Sequence, residues 1–352
     1  MKAFEKNIRK VEPYVPGEQP WQTVIKLNTN ENPYPPAPGV AQVLHTMDAD
    51  RFKLYPDPTA GELVKALADY YDVSEEQVFV GVGSDDVLSM CFLTFFNSEK
   101  PVLFPDITYS FYKVWANLYR IPYECCPVDE NFRIVKEDYF RENGGIIFPN
   151  PNAPTGLYLE LCEVEEIIAH NRDVIVIVDE AYIDFAGKSA LELIEKYDNL
   201  IVVQTFSKAR SMAGMRIGYA ISNPLLIQYL NDAKYSFNSY TMSQAAIACG
   251  VEAVKDKEYF ENGIRKIINT REWAKKELGR LGFTCLDSEA NFIFATHPKY
   301  DIKKMYEALK NEAKIYVRYW GSERIEQYIR ITVGTKDEMD ALLGFLEGYT
   351  QK

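Results

Sequence analysis

Short, uninterrupted apolar runs recur through the first two thirds of the chain, at 78–82, 101–104, 146–148, 174–178 and 200–203. Each is too short for a buried helix and lacks polar alternation. Such runs predict strands covered on both faces. Between them, apolar residues return every three or four positions and predict helices over 62–71, 85–96 and 163–170. In 85–96, Leu88, Cys91, Phe92 and Phe95 fall on one face. Strands alternating with helices predict an α/β fold with a mainly parallel sheet. After about residue 240 the pattern changes. Helices over 243–254 and 259–281 precede strands at 292–294, 315–318 and 328–333, and a helix over 337–349 closes the chain. This second pattern predicts a smaller α+β domain. Residues 1–60 carry prolines at 13, 16, 20, 33, 35, 36, 38, 56 and 58, which break regular structure. Tyr14, Trp21, Tyr34 and Tyr55 give that stretch apolar surface, so it reads as an arm packed on something else, such as a second subunit. The expected division is an arm over 1–30, a large domain over 31–242 and a small domain over 243–352.

Composition narrows the function. The chain has 352 residues, 47% of them hydrophobic, enough for a sizeable core. A net charge of -12 and the lack of a Lys/Arg run argue against nucleic acid, and leave anions to be held by local sites. Six cysteines without a CxxC pair and only three histidines make a zinc or other metal site unexpected. The longest clean apolar run, 174–178, is far too short to span a bilayer. Residues 1–6 are charged, with no apolar stretch after them. No secretion signal or membrane partner is expected, and the cytoplasm is the expected location.

The residues that carry chemistry cluster just after the predicted strands, where open α/β sheets bind ligands. Lys208 lies in Thr205-Phe206-Ser207-Lys208, beyond the strand at 200–203, with Arg216 eight residues on. A lysine leaving a buried strand beside hydroxyls and a second cation suits imine chemistry next to a phosphate. Together these point to pyridoxal phosphate. Gly81-Val82-Gly83-Ser84-Asp85 joins strand to helix, and a helix N-terminus offers N–H groups to an anion. Asp179 ends the run at 174–178 and is followed by Tyr182. A carboxylate there either caps the next turn or pairs with a buried cation. Tyr109 follows the strand at 101–104 and can stack on a planar ring. Asn150-Pro151-Asn152-Ala153-Pro154-Thr155-Gly156 has turn chemistry. Arg318 and Arg330 lie on predicted strands, where an arginine fork either binds a carboxylate or phosphate or sits exposed at an edge.

In this order, the glycine turn, Tyr109, the turn at 150–156, Asp179-Glu180-Ala181-Tyr182, Ser207-Lys208 with Arg216, and Arg330-Ile331-Thr332-Val333-Gly334-Thr335 resemble the fold type I aminotransferases over essentially the whole chain. Leu27-Asn28-Thr29-Asn30-Glu31-Asn32-Pro33 and Leu54-Tyr55-Pro56-Asp57 are most similar to the branch of that family acting on L-histidinol phosphate and 2-oxoglutarate.

The resemblance implies pyridoxal 5'-phosphate as cofactor and a seven-stranded, mainly parallel sheet in the large domain. It also implies a homodimer and small-molecule substrates, with glutamate and imidazole acetol phosphate as products. Lys208 would carry the cofactor and move the proton, Asp179 would pair with the pyridine nitrogen, and Tyr182 would donate to the ring oxygen. Tyr109 would stack on the ring. Ser84, Asp85, Thr205, Ser207 and Arg216 would hold the phosphate, and Tyr55 would reach it from the other subunit. Tyr14, Asn30, Arg318 and Arg330 would bind substrate. Ala153 stands where the family has an asparagine that bonds the ring oxygen, leaving Asn152, one residue earlier, as the candidate donor. An aromatic amino acid aminotransferase and a threonine-phosphate decarboxylase-like lyase remain open alternatives. A regulator built on the same fold would need a DNA-binding domain, for which no segment is left over.

Overall fold

A computed structural model describes residues 2–351. Its centre is a seven-stranded sheet built from β2 (Val78–Gly81), β3 (Val102–Pro105), β4 (Tyr123–Cys126), β5 (Gly145–Pro149), β6 (Val176–Asp179), β7 (Leu200–Thr205) and β8 (Gly218–Ser222). The spatial order is β2-β8-β7-β6-β5-β3-β4. Only β8 runs antiparallel to its neighbours. Successive strand residues alternate between two cores. Val176, Val178, Leu200 and Val202 face one, and Ile177, Ile201 and Val203 face the other. Both faces are covered, which accounts for apolar runs without polar alternation.

The first core is roofed by α1 (Pro38–Thr46), α2 (Gly61–Tyr71), α5 (Leu161–His170) and α7 (Gln244–Lys255). The second is roofed by α3 (Ser84–Phe95), α4 (Phe111–Tyr119) and α6 (Pro224–Phe237). The predicted domain boundary after residue 242 therefore precedes a helix that packs with the large domain. The buried side of α7, with Ala246, Ile247, Cys249 and Ala253, lies in the same core as Leu63 and Leu67.

The small domain begins with α8 (Lys257–Arg280). It continues through β9 (Thr284–Cys285), β10 (Phe292–Thr296), α9 (Ile302–Asn311), β11 (Ile315–Tyr316), β12 (Arg318–Tyr319) and β13 (Ile329–Thr332) to α10 (Lys336–Thr350). A four-stranded sheet, β12-β13-β10-β9, sits on α8 and α10 around Ile267, Phe292, Ile331 and Leu342. The predicted single strand at 315–318 is two. β11 pairs in parallel with β1 (Ile25–Lys26) from the N-terminal arm, whereas β12 pairs with β13. Buried Val317 stands at the change of partner.

Candidate active site

Four strands of the large sheet point their carboxyl ends at one place. β6 ends at Asp179, β7 leads to Lys208, β5 leads to Ala153, and β3 leads to Tyr109. Two connected chambers lie there. The inner one, about 170 Å³, is lined by Ser84, Asp85, Asp179, Thr205, Ser207 and Arg216, among others. The outer one, about 570 Å³, is lined by Tyr14, Asn30, Arg318 and Arg330, among others. Lys208, Tyr182, Tyr109, Ala153 and Thr29 line both, so the lysine stands on the shared wall. Its Nζ donates to the Thr29 carbonyl at 3.1 Å, and its own carbonyl accepts from Asn32 Nδ2 at 3.1 Å.

The inner chamber is built for an anion at one end. Gly218 packs so tightly on the start of α3 that a Cβ there would meet the Gly83 carbonyl carbon and the Ser84 nitrogen, each at 2.3 Å. Gly83 takes φ 86°, and a Cβ there would strike Arg216 Nη2 at 2.5 Å. Two glycines thus bring the uncapped N-terminus of α3 against Arg216. Arg216 Nη1 lies 3.5 Å from Ser207 Oγ, and Thr205 Oγ1 donates to Ser207 Oγ at 3.0 Å. Asp85 shares this corner, with its Oδ2 3.5 Å from Arg216 Nη2 and its Oδ1 accepting from the Tyr109 hydroxyl at 2.7 Å. Hydroxyls, a guanidinium and helix N–H groups form a donor set that fits a phosphate.

At the other end Asp179 is buried. Burial pushes its pKa up to about 6, against the Tyr112 hydroxyl donating at 2.7 Å, the Ala181 N–H at 3.3 Å and the nearby Lys208 charge. A carboxylate so placed fits a cationic partner in the chamber. Tyr112 and Thr29 escaped sequence reasoning. Tyr112 lies on α4, 67 positions before Asp179, and only an aromatic pattern marked it.

The Tyr182 hydroxyl oxygen accepts from Asn30 Nδ2 at 2.8 Å, which leaves its own hydrogen available. Asn30 is itself anchored, with its N–H on Thr332 Oγ1 and its carbonyl on Asn291 Nδ2.

Asn152 is a correction. Its amide donates to the Ile107 carbonyl at 2.9 Å and to Thr155 Oγ1 at 3.2 Å, and its Oδ1 accepts from Thr108. It lines neither chamber. Ala153 does, and it brings no donor.

In the outer chamber Arg330 is nearly enclosed between the rings of Phe292 and Trp320, at 5.2 and 5.1 Å. Its Nη2 donates to the Asn28 carbonyl at 3.1 Å, while its buried Nε has no partner among the described residues. Burial lowers its pKa from the ordinary value. Arg318 donates to the Val15 carbonyl, and Tyr14 stacks on Phe111 at 4.2 Å. Arg324 and Asp106, both lining this chamber, form an ion pair at 3.0 Å. Tyr55 is not gathered in. It is 80% exposed and stacked on Tyr240. Among the described residues, no acidic, histidine or cysteine cluster could hold a metal.

Sheet and site together define a fold type I transferase. The chain belongs to the aminotransferases of class I and II, whose family model matches residues 22–346. It is 51% identical over 348 residues to the histidinol-phosphate aminotransferase of Lactococcus lactis subsp. cremoris (strain MG1363), covering 99% of this chain and 98% of that one. It is 50% identical over 345 residues to the same-named protein of Clostridium botulinum (strain Hall), covering 97% of each. Among solved structures, histidinol-phosphate aminotransferase from Sinorhizobium meliloti in complex with pyridoxal-5'-phosphate superposes with a TM-score of 0.85 at 25% identity. That match covers 93% of this chain and 91% of the other.

Proposed function

We propose that the chain is a pyridoxal-phosphate-dependent aminotransferase that moves the amino group of L-histidinol phosphate to 2-oxoglutarate, working as a homodimer in the cytoplasm. The observation that carries this reading is the junction of the two chambers at Lys208. One chamber has the donor set for a cofactor phosphate, and the other a half-buried arginine whose buried Nε has no partner among the described residues. Half identity over almost the full length of relatives named for histidinol phosphate favours that substrate over an aromatic amino acid or a decarboxylated one.

When bound, pyridoxal phosphate supplies a ring that accepts the electron pair left on the substrate carbon as its proton departs. Ser84 and Asp85 N–H groups, Thr205, Ser207 and Arg216 would hold the phosphate, and Tyr109 would cover the ring. Asp179, kept in place by Tyr112, would hold a proton at the ring nitrogen. Tyr182, whose oxygen accepts from Asn30, would turn its free hydrogen to the ring oxygen and so compensate for Ala153. Lys208 Nζ, reached from both chambers, would take the proton from the substrate carbon and return one to the cofactor carbon on the far side of the shared nitrogen. Arg330 holds the carboxylate of glutamate or the phosphate of histidinol phosphate, with Arg318, Tyr14 and Asn30 around it. One chamber serving both substrates in turn gives ping-pong kinetics. Leu54, Tyr55, Phe237 and Tyr240 are all exposed, and Tyr55 stacks on Tyr240, apolar surface suited to a second copy, which would bring its own Tyr55 to this site.

The test is a substrate panel of histidinol phosphate, phenylalanine, tyrosine and O-phosphothreonine, assayed for pyridoxamine phosphate and for CO2. Preferred amino transfer from histidinol phosphate supports the reading. Preferred turnover of phenylalanine or tyrosine, or CO2 release from a phosphorylated amino acid, defeats it. Lys208→Ala should lose both turnover and the visible absorbance of the holoenzyme.

A further inference from the structure

A third cavity, about 700 Å³, shares no lining residue with the two chambers. Four parts of the chain enclose it: the stretch from Asn32 to Ala37, residues 209–211 directly after Lys208, Ala253 on α7, and α8 between Tyr259 and Asn269. Arg210 lines it and is 5% exposed. The guanidinium is packed among the rings of Phe260 at 4.0 Å, Tyr70 at 4.9 Å and Phe206 at 5.2 Å. Its Nη1 donates to the Ala253 carbonyl at 2.7 Å. Its Nη2 is buried and has no hydrogen-bond partner among the described residues. A buried donor on a cation left without an acceptor is unfavourable, so the position favours a ligand that brings an acceptor oxygen.

The rest of the wall agrees. Lys266 and Arg265 also line the cavity, and no carboxylate does. Glu261 stands 3.8 Å from Arg265, outside the lining. Asp184 feels the charge of Arg210 but likewise lies outside it. Tyr34, Tyr259 and Phe260 supply flat apolar surface. This combination of a few fixed polar groups and aromatic walls is typical of small-molecule sites.

We propose that this cavity is a second ligand site, taking a small organic anion with a flat apolar body, its carboxylate or phosphate head on Arg210. The occupant bears on the catalytic lysine through the wall itself. Asn32 lines the cavity and donates to the carbonyls of Lys208 at 3.1 Å and Ala209 at 3.2 Å.

The probes are 4-fluorobenzoate and 4-fluorophenyl phosphate, followed by fluorine NMR on the holoenzyme carrying Arg330→Leu, which weakens anion binding in the outer chamber. Gly263 lines the cavity, and a Cβ added there meets nothing within 4 Å. Gly263→Leu therefore fills the space while leaving Arg210 in place. It also replaces a helix-interior glycine with a better helix former, so the variant is expected to fold. Saturable binding of either probe is expected, weakened at least about tenfold by Gly263→Leu and by Arg210→Gln, corresponding to about 1.4 kcal/mol or more. Whichever probe binds more tightly identifies the head group. Binding that survives Gly263→Leu unchanged, or no saturable binding of either probe, overturns the proposal. The readout is binding alone, so it is independent of the substrate assigned to the enzyme.

Discussion

Removing one oxygen atom tests the electrostatic core of the site. Tyr112 is fully buried, its ring packed near Phe104 and Phe92, so Tyr112→Phe keeps the shape and deletes only the hydroxyl. That hydroxyl donates to Asp179 at 2.7 Å and pulls down a carboxyl pKa that burial has pushed to about 6. A hydrogen bond to a charged group contributes about 1.5–3 kcal/mol. Its loss should raise the apoenzyme Asp179 pKa by roughly one to two units. Only the ionised carboxylate holds the proton at the ring nitrogen. Cofactor affinity in the variant should therefore match wild type near pH 8.5, where both carboxyls are mostly ionised. It should fall progressively behind below about pH 7.5, approaching a tenfold to hundredfold deficit in acid. The assay is the pyridoxal phosphate dissociation constant of stripped enzyme between pH 6 and 8.5, variant over wild type. Protonation of the cofactor itself cancels in that ratio. A ratio that stays flat, or within twofold of one throughout, would refute the argument.

Other predictions rest on single contacts. Arg330→Leu removes a half-buried cation of the outer chamber. It should raise the KM for 2-oxoglutarate by roughly tenfold to over a hundredfold, for a lost charged hydrogen bond of about 1.5–3 kcal/mol. An unchanged KM would remove Arg330 from the substrate site. Mixing Tyr55→Ala with Lys208→Ala subunits should restore activity, because one site of the hybrid dimer then has both residues intact. No recovery would mean that Tyr55 does not act across subunits. Asp184, raised by burial to about 6 from 3.8, binds a proton more readily folded than unfolded. Its contribution to stability is thus complete below about pH 4 and lost as pH rises through about 6. Asp184→Asn should flatten the urea-measured stability profile across that window, and an unaltered slope would contradict it.

The sequence displayed its central strands because both faces of β5, β6 and β7 are buried, which leaves uninterrupted apolar runs. It hid β8 because Gly218-Tyr219-Ala220-Ile221-Ser222 reads as the tail of the lysine motif. It hid β4 at the sheet edge because Glu124 and half-buried Tyr123 interrupt the pattern. Proline concealed α1, although Pro38 sits at the helix start, where its missing N–H does no harm. Most proposed site residues line one of the two chambers because strand ends converge in any such sheet. Side-chain hydrogen bonding was less accessible. Nothing local marks Tyr112 as the partner of Asp179. Nor could spacing show that Asn152 would turn to the Ile107 carbonyl instead of the chamber.

Asn30 adopts a left-handed φ of 56°, uncommon for a side-chain-bearing residue though better tolerated by asparagine than by most. From that pose it grips β13 through Thr332, reaches Asn291 beside β10 and steadies the Tyr182 hydroxyl. In mechanical terms it is a linkage. If the small domain rocks, the hydroxyl rocks with it, so domain position and the aim of that proton are one degree of freedom instead of two.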